Sequence, residues 1–178
     1  MRYVVVWLRN PLDALRKAYD SLAPGGYLEI FDPSTHRENY DDDTAAPHLD
    51  RLWVLLTEAT RKAKQVQADG PTYKEWLEEV GFTDITETEF PTPTNPWPTD
   101  ERMKQIGAYQ SRSLPPAFEG FGEFLIGSGM PEVEVRELVS GAIAELLDPN
   151  IHINFSLYVH PTQASTTSTI LSYSRLHY

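Results

Sequence analysis

The feature that most constrains the fold is a helical pattern that stops at a Pro-Gly-Gly turn and is followed at once by a short apolar strand. Apolar residues recur at helical spacing before the turn: Leu12, Leu15, Ala18, Tyr19 and Leu22. Pro24, Gly25 and Gly26 then end the helix and turn the chain, and residues 27–31 form the strand. Because helix, tight turn and strand in this order make half of a crossover unit, the sequence predicts an α/β fold.

The rest of the chain up to residue 90 continues this alternation. Residues 3–8 are β-branched and aromatic, and they predict a buried strand. Further helices are expected at residues 49–64 and 71–80, further strands at residues 85–90 and 151–159, and a polar loop at residues 33–47.

Four prolines between residues 91 and 100 argue against regular structure there, so this stretch is expected to lead into an inserted helical section. Its candidate helices are residues 103–109, 117–126 and 132–147. We therefore expect one domain over residues 1–161, with residues 91–150 as a helical insertion or substrate lid, and a mobile tail over residues 162–178.

Composition excludes several classes of function. The 178 residues carry a net charge of −11, which repels a nucleic-acid backbone. Cysteine is absent from the sequence, so disulfides, thiolate metal sites and thiol nucleophiles are excluded together. The apolar run near the start is too short to span a membrane, which predicts a soluble, cytoplasmic protein. Asp41, Asp42 and Asp43 lack the spacing of a calcium loop, and no metal is expected.

Five segments form an ordered series of motifs: residues 22–32, 73–82, 95–100, 129–135 and 152–159. Together they resemble the fungal secondary-metabolism methyltransferases related to the regulator LaeA, from residue 1 to about residue 160. The resemblance implies the C-terminal strands and helices of the Rossmann-like, class I fold that binds S-adenosylmethionine.

One departure from this family shapes the functional expectation. The family begins with a strand and a glycine-rich turn that grips the cofactor, and no G-x-G-x-x-G motif occurs in this chain. By alignment of the pattern, the chain starts just after the family's fourth strand. We therefore expect a partial fold that uses no cofactor and does not bind S-adenosylmethionine. The exposed sheet edge predicts completion by a homodimer or by a full-length methyltransferase-like partner.

Two histidines are the candidate catalytic residues. His36 follows the strand at residues 27–31, on the side where open α/β sheets hold their ligands. His152 stands at the head of the last strand. Either could act as a general base near neutral pH. The alternatives are a solvated loop histidine for His36 and a turn-stabilising residue for His152.

Five further residues are candidates for binding a substrate: Asp32, His48, Trp53, Trp97 and Tyr109. Trp97 lies between two prolines and could be a stacking wall for a flat substrate, or a plug that seats the helical insertion. His48 could instead belong to a helix start, and Tyr109 could be a core residue.

The leading hypothesis is a methyltransferase-like protein that binds an apolar secondary metabolite and catalyses a cofactor-free cyclisation or rearrangement in natural-product biosynthesis. Such an enzyme would hold reactive conformers and hydrogen-bond a developing charge. Two alternatives stay open. One is an S-adenosylmethionine-dependent methyltransferase, truncated or completed by a partner chain, and the other is a non-catalytic accessory or regulatory subunit.

Overall fold

The computed structural model describes residues 1–39, 45–63 and 70–165. Asp41, Asp42, Asp43 and the predicted tail after residue 165 lie outside the described residues. The elements, in chain order, are a 3-10 helix Val5–Trp7, α1 Pro11–Ser21, β1 Tyr27–Asn39, α2 Pro47–Lys62, α3 Gly70–Val80, β2 Phe82–Thr83, β3 Thr88–Pro93, α4 Glu101–Gly127, α5 Glu132–Leu147 and β4 Ile153–Ala164.

The sheet is organised around β4, which pairs antiparallel with every other strand described here. β1 lies along one side of β4, and β2 and β3 lie along its other side. The register of β1 on β4 shifts between Pro33 and Arg37, where β1 carries extra residues and bulges. β1 and β3 therefore run in the same direction, and their carboxyl ends meet at one end of the sheet.

Helices cover both faces of this sheet and enclose two separate cores. Alternate β4 residues point to opposite faces, so Phe155 faces one helix layer and Ala164 faces the other. The α2/α4/α5 layer packs over Phe155, and the α1/α3 layer packs over Ile30 and Ala164. The predicted α/β class is therefore confirmed.

The N-terminal stretch is not the buried strand that its composition predicted. Its pairing with the sheet is limited to a parallel bridge between Arg2 and Phe31, and Val5–Trp7 forms a 3-10 turn. Among the side chains described in this stretch, Val5 alone is fully buried, whereas Trp7 is exposed. The apolar composition of residues 3–8 serves contacts at the end of the sheet rather than a strand in its centre.

Two strands extend into stretches that were expected to be loop. β1 continues through residues 33–39, and β3 runs on to Pro93 in spite of Pro91. Both corrections follow from tertiary pairing, because β4 offers hydrogen-bonding groups along its whole length. Proline is tolerated in β3 because this strand pairs with β4 on one side only among the described strands.

The helical insertion is simpler than predicted. α4 is one helix of 27 residues rather than two, and it passes through Pro115 and Pro116 without ending. A proline removes one hydrogen bond, and packing of the apolar face of α4 offsets that loss. α5 has the predicted bounds. The last strand continues to Ala164, so residues 162–164 belong to the sheet and not to a tail.

Candidate functional site

An aromatic cluster lies on the α2/α4/α5 side of the sheet. The indole of Trp53, on α2, packs at ring-centroid distances of 6.0 Å from Phe118, 5.7 Å from Phe121 and 6.1 Å from Phe155. Phe118 and Phe121 come from α4 and Phe155 comes from β4, so three elements supply the rings. We call Trp7, Trp53, Phe118, Phe121 and Phe155 together the aromatic cleft.

Trp7 connects this cluster to the N-terminal segment. Its ring lies 5.8 Å from that of Phe121, yet 61% of Trp7 is exposed. Trp7 therefore touches the cluster with one side of its ring and presents the rest to solvent, so the cluster reaches the protein surface at this residue. The sequence analysis predicted a buried strand at residues 3–8, so it did not identify Trp7 as a residue of this cluster.

The Trp53 indole nitrogen is the unusual atom in this cleft. Nε1 is buried, and no residue in the described ranges accepts a hydrogen bond from it. Its ring neighbours present carbon atoms, and a phenylalanine side chain cannot act as a hydrogen-bond acceptor of ordinary strength. Trp53 was predicted to bind substrate, and that role stays a prediction.

Asp32 is completely buried and holds the turn that carries Trp7. Its Oδ1 accepts a hydrogen bond from the backbone N–H of Val4 at 2.9 Å, and its Oδ2 accepts one from Val5 at 2.8 Å. The Tyr73 hydroxyl donates to Oδ2 at 3.3 Å. The carboxylate thus binds the backbone N–H groups at the start of the 3-10 turn Val5–Trp7. This geometry supports a positioning role for Asp32, whereas its predicted contact with substrate stays untested.

The charge of Asp32 is also felt by Tyr3. Burial raises the pKa of the Tyr3 phenol above its ordinary value, and the negative charge of Asp32 raises this pKa further. The Tyr3 ring packs edge-on against Phe31 at 5.7 Å. A neutral phenol at this position therefore helps to keep the N-terminal segment on the sheet.

His48 belongs to the start of α2, as its structural alternative proposed. Glu145 of α5 accepts hydrogen bonds from the backbone N–H groups of His48 at 3.0 Å and Leu49 at 2.9 Å. The same carboxylate lies 2.6 Å from His48 Nδ1. The ring rests against Gly141, where any Cβ would collide with it. Glu145 therefore caps α2 from a neighbouring helix, a contact that no local sequence pattern could reveal.

Trp97 and His152 form a pair beside the end of α5. Their rings stack at 4.7 Å, and Trp97 Nε1 donates to the carbonyl of Ile153 at 3.3 Å. Next to them, the Asn95 amide donates to the carbonyls of Leu146 at 3.1 Å and Asp148 at 3.0 Å. These contacts join α5 to β4 and support the plug interpretation of Trp97. The catalytic role of His152 stays a prediction.

The remaining two candidates lie elsewhere. His36 belongs to the bulged part of β1, and its side chain is outside the described part of the structure. A bulge is a common feature beside active sites, and this one lies towards the carboxyl end of β1. Tyr109 is 71% exposed on α4, and none of the described ring contacts joins it to the aromatic cleft.

A buried histidine was missed by the sequence prediction. His160 on β4 is fully buried, with Nε2 2.9 Å from Glu87 Oε2. Its ring packs edge-on against Tyr73 at 5.7 Å and stacks on Tyr158 at 6.2 Å. Since Tyr73 also donates to Asp32, polar groups run through the α1/α3 side of the sheet. The one signal in the sequence is strand alternation: His160 is an even number of residues from Ala164, so both side chains point to the α1/α3 face of β4.

A surface groove of about 330 Å³ lies between α4 and α5. Its rim includes Glu123 and Arg136, which pair at 3.3 Å, and Arg136 also pairs with Glu132 at 2.7 Å. These hydrogen bonds and charges raise the pKa of Arg136. Because these charged side chains on the rim pair with one another in solvent, they do not favour the binding of a charged ligand.

Comparison with known proteins gives sequence relatives over most of the chain, although no protein-family model matches it. It is 29% identical to the probable methyltransferase tdiE of Emericella nidulans, over 81% of this chain and 46% of that protein. It is 28% identical to the methyltransferase pytC of Aspergillus terreus, over 89% and 50%. It is 29% identical to the secondary metabolism regulator LAE1 of Cochliobolus heterostrophus, over 81% and 48%.

Solved structures of methyltransferases also align with the model. Phosphoethanolamine N-methyltransferase 2 of Haemonchus contortus, in complex with S-adenosyl-L-methionine, aligns over 92% of this chain and 32% of its own, with 15% identity and a TM-score of 0.46. The [4+2]-cyclase SpnF aligns over 93% and 49%, with 11% identity and a TM-score of 0.41.

The prediction that the chain uses no cofactor is wrong. The curated relatives with the strongest matches are named methyltransferases, a class of enzyme that takes its methyl group from a cofactor. The prediction rested on a missing glycine-rich turn, but the chain spans about half the length of the curated relatives it matches. A turn that is absent from such a span is not evidence against a cofactor. Cofactor-free cyclisation rested on the same premise, and it is not confirmed.

A search of the described helices finds none that is both long enough and apolar enough to cross a membrane. The resemblance stated from the sequence motifs is confirmed by the relatives above. The chain has an α/β fold, and its sequence is similar to those of fungal secondary-metabolism methyltransferases and LaeA-like regulators.

Proposed function

We propose that this chain supplies the acceptor-binding part of an S-adenosylmethionine-dependent methyltransferase that acts on an apolar secondary metabolite. The observation that carries the proposal is the group of packed rings that we call the aromatic cleft, in which Trp7 contacts Phe121 and is open to solvent. The names of the relatives support methyl transfer and secondary metabolism. The cleft supports the chemical class of the acceptor, because aromatic walls favour a flat, apolar ring system.

The position of the cleft agrees with this role. Phe155 lies near the start of β4, beside the end of the sheet where the carboxyl ends of β1 and β3 meet. Open α/β sheets bind their ligands at the carboxyl ends of parallel strands. Asp32, in the middle of β1, fixes the turn that carries Trp7 through two backbone hydrogen bonds.

The described residues fit the reactive end of the cofactor rather than its adenosine. The exposed face of Trp7 can lie against a sulfonium cation, because an aromatic ring attracts a positive charge through its electron-rich face. When bound, the cofactor supplies an electrophilic methyl group. This chain's own residues orient the acceptor in the cleft and exclude water from it. His36 and His152 are the candidate bases for the acceptor's proton.

A methyl-transfer assay tests this proposal. The purified protein is incubated with S-adenosylmethionine carrying a tritiated methyl group and with 2-naphthol, a flat aromatic alcohol, and the extracted ether is counted. We expect product above the protein-free blank, and a loss of at least about tenfold in Trp7→Ala, which removes the exposed ring of the cleft. Trp76→Phe, outside the cleft, is the matched control. Absence of both product and calorimetric binding of S-adenosylhomocysteine overturns the proposal.

A second candidate is a regulatory, non-catalytic subunit, which the relatives named as secondary metabolism regulators favour. A predicted homodimer or full-length partner belongs with this candidate. In the described structure β1 pairs on its outer side only near Arg2, and Tyr27 is 73% exposed. We propose that this edge is the contact. Light scattering of the purified chain separates a dimer from a monomer, and co-purification with a full-length methyltransferase tests the other partner.

A further inference from the structure

We propose that the Trp53 indole N–H is a recognition group that donates a hydrogen bond to a carbonyl or hydroxyl oxygen of a flat, apolar ligand. This inference rests on the proposed function, because it names the acceptor that the cleft selects. The observation behind it is the buried Nε1 atom, which lacks an acceptor within the described ranges.

A buried donor without a partner is costly, so it needs an explanation. Leaving such a group unsatisfied destabilises a fold, because the donor loses its hydrogen bond to water and gains none in return. Phenylalanine, leucine or methionine at position 53 could fill similar space without that cost. The aromatic neighbours of Trp53 supply packing but no oxygen. An oxygen from a ligand would satisfy the donor and recover this lost energy.

Trp97 provides an internal comparison. It is also partly buried, and its Nε1 donates to the Ile153 carbonyl at 3.3 Å. The fold therefore satisfies an indole where that indole only joins two elements. At Trp53 the corresponding atom is left free inside the cleft that the exposed ring of Trp7 borders. The contrast favours a ligand-directed donor over a purely structural one.

The ligand class follows from the shape and chemistry of the cleft. Rings from α4 and β4 pack around Trp53, and aromatic neighbours favour a planar ring system. The one free donor selects a single oxygen on that ring system, as in an aromatic ketone or a phenol. A hydrocarbon of the same shape would bury the same area and leave the donor unsatisfied.

Equilibrium dialysis with a matched pair of probes tests this inference. Fluorenone and fluorene share one planar skeleton, and only fluorenone carries a carbonyl oxygen. Trp53→Phe keeps an aromatic ring and removes the N–H. We expect this substitution to weaken fluorenone binding by roughly 3- to 10-fold and to change fluorene binding by less than about twofold. Trp76→Phe, which removes an indole outside the cleft, should leave both dissociation constants unchanged.

The outcomes are separable from those of the methyl-transfer assay, since neither probe needs a cofactor. Equal weakening of both probes by Trp53→Phe would mean that the ring packs but the N–H does not recognise oxygen. Failure of the wild-type protein to bind fluorenone would also overturn the inference. Circular dichroism of each variant guards against unfolding, and Trp53→Leu gives a second variant without the donor. Methyl transfer without oxygen selectivity would refute this inference and leave the proposed function standing.

Discussion

The two helix layers of this protein use polar groups in different ways. On the α1/α3 side, a carboxylate lies inside the fold and is saturated: Asp32 accepts from two backbone N–H groups and from Tyr73. On the α2/α4/α5 side, the centre is aromatic and Trp53 keeps a donor without an acceptor in the described ranges. His160 Nδ1, on the α1/α3 side, also lacks a hydrogen-bond partner among the described residues, so the contrast concerns Asp32 and Trp53 and not each layer as a whole.

This contrast predicts the largest loss of stability at Asp32. In Asp32→Asn, one of the two oxygens becomes an amide nitrogen, which cannot accept from Val4 or Val5. We expect a loss of about 3 kcal/mol in the free energy of unfolding, measured by urea denaturation. The control Asp20→Asn, on the exposed side of α1, should stay within about 0.5 kcal/mol. Equal effects of the two would remove the distinction between the layers.

A pair of glycines on α4 tests how closely the α2/α4/α5 layer is packed. A Cβ at Gly107 would collide with the carbonyl of Asn95, whereas a Cβ at Gly120 meets nothing within 4 Å. We expect Gly107→Ala to destabilise the fold by about 2 kcal/mol. Gly120→Ala should stabilise it by about 0.5 kcal/mol, because alanine favours a helix. Effects of the same sign in thermal unfolding would contradict this packing.

Loss of the cap on α2 should have a smaller effect. Glu145→Gln replaces one carboxylate oxygen with a donor, so the backbone N–H of His48 or Leu49 loses its acceptor. The expected cost is about 1–2 kcal/mol in urea denaturation. Glu137→Gln, exposed on the same helix, is the matched control and should change little. An unchanged free energy of unfolding in Glu145→Gln would mean that this cap on α2 does not stabilise the fold.

The smallest effect on stability is expected at Trp7. Because 61% of its surface is exposed, Trp7→Ala should cost less than about 1 kcal/mol in unfolding free energy. The same substitution should weaken fluorenone binding severalfold, because it removes one wall of the cleft. A large loss of stability with unchanged binding would mean that Trp7 is a structural residue.

Local sequence patterns correctly predicted the elements that depend on interactions between residues close together in the chain. The Pro-Gly-Gly turn, α1 and α5 follow from spacing and turn chemistry, and they are found where expected. The extension of β1 and β3 could not be predicted, because it depends on hydrogen bonds from β4, which lies far away in sequence. The single helix α4 was missed because two prolines normally end a helix, and packing overrides them here.

The candidate site was predicted only in part. Trp53 was predicted to bind substrate, but its partners Phe118 and Phe121 were not among the candidates, and Trp7 was predicted to lie in a strand. The spacing of aromatic residues along α4 does not reveal which side of this helix faces α2. Tertiary packing decides that, and it places Phe118 and Phe121 against Trp53. The structural contacts of Asp32 and Glu145 likewise join residues 27 or more positions apart.

Fluorine NMR of the protein labelled with 5-fluorotryptophan tests the central claim most directly, because the chain has four tryptophans. Two of them, Trp7 and Trp53, belong to the aromatic cleft, and Trp76 and Trp97 lie outside it. Titration with fluorenone should shift the resonances of Trp7 and Trp53 and leave the other two in place. A shift confined to Trp97 or Trp76, or no shift at all, would contradict a ligand site in the cleft.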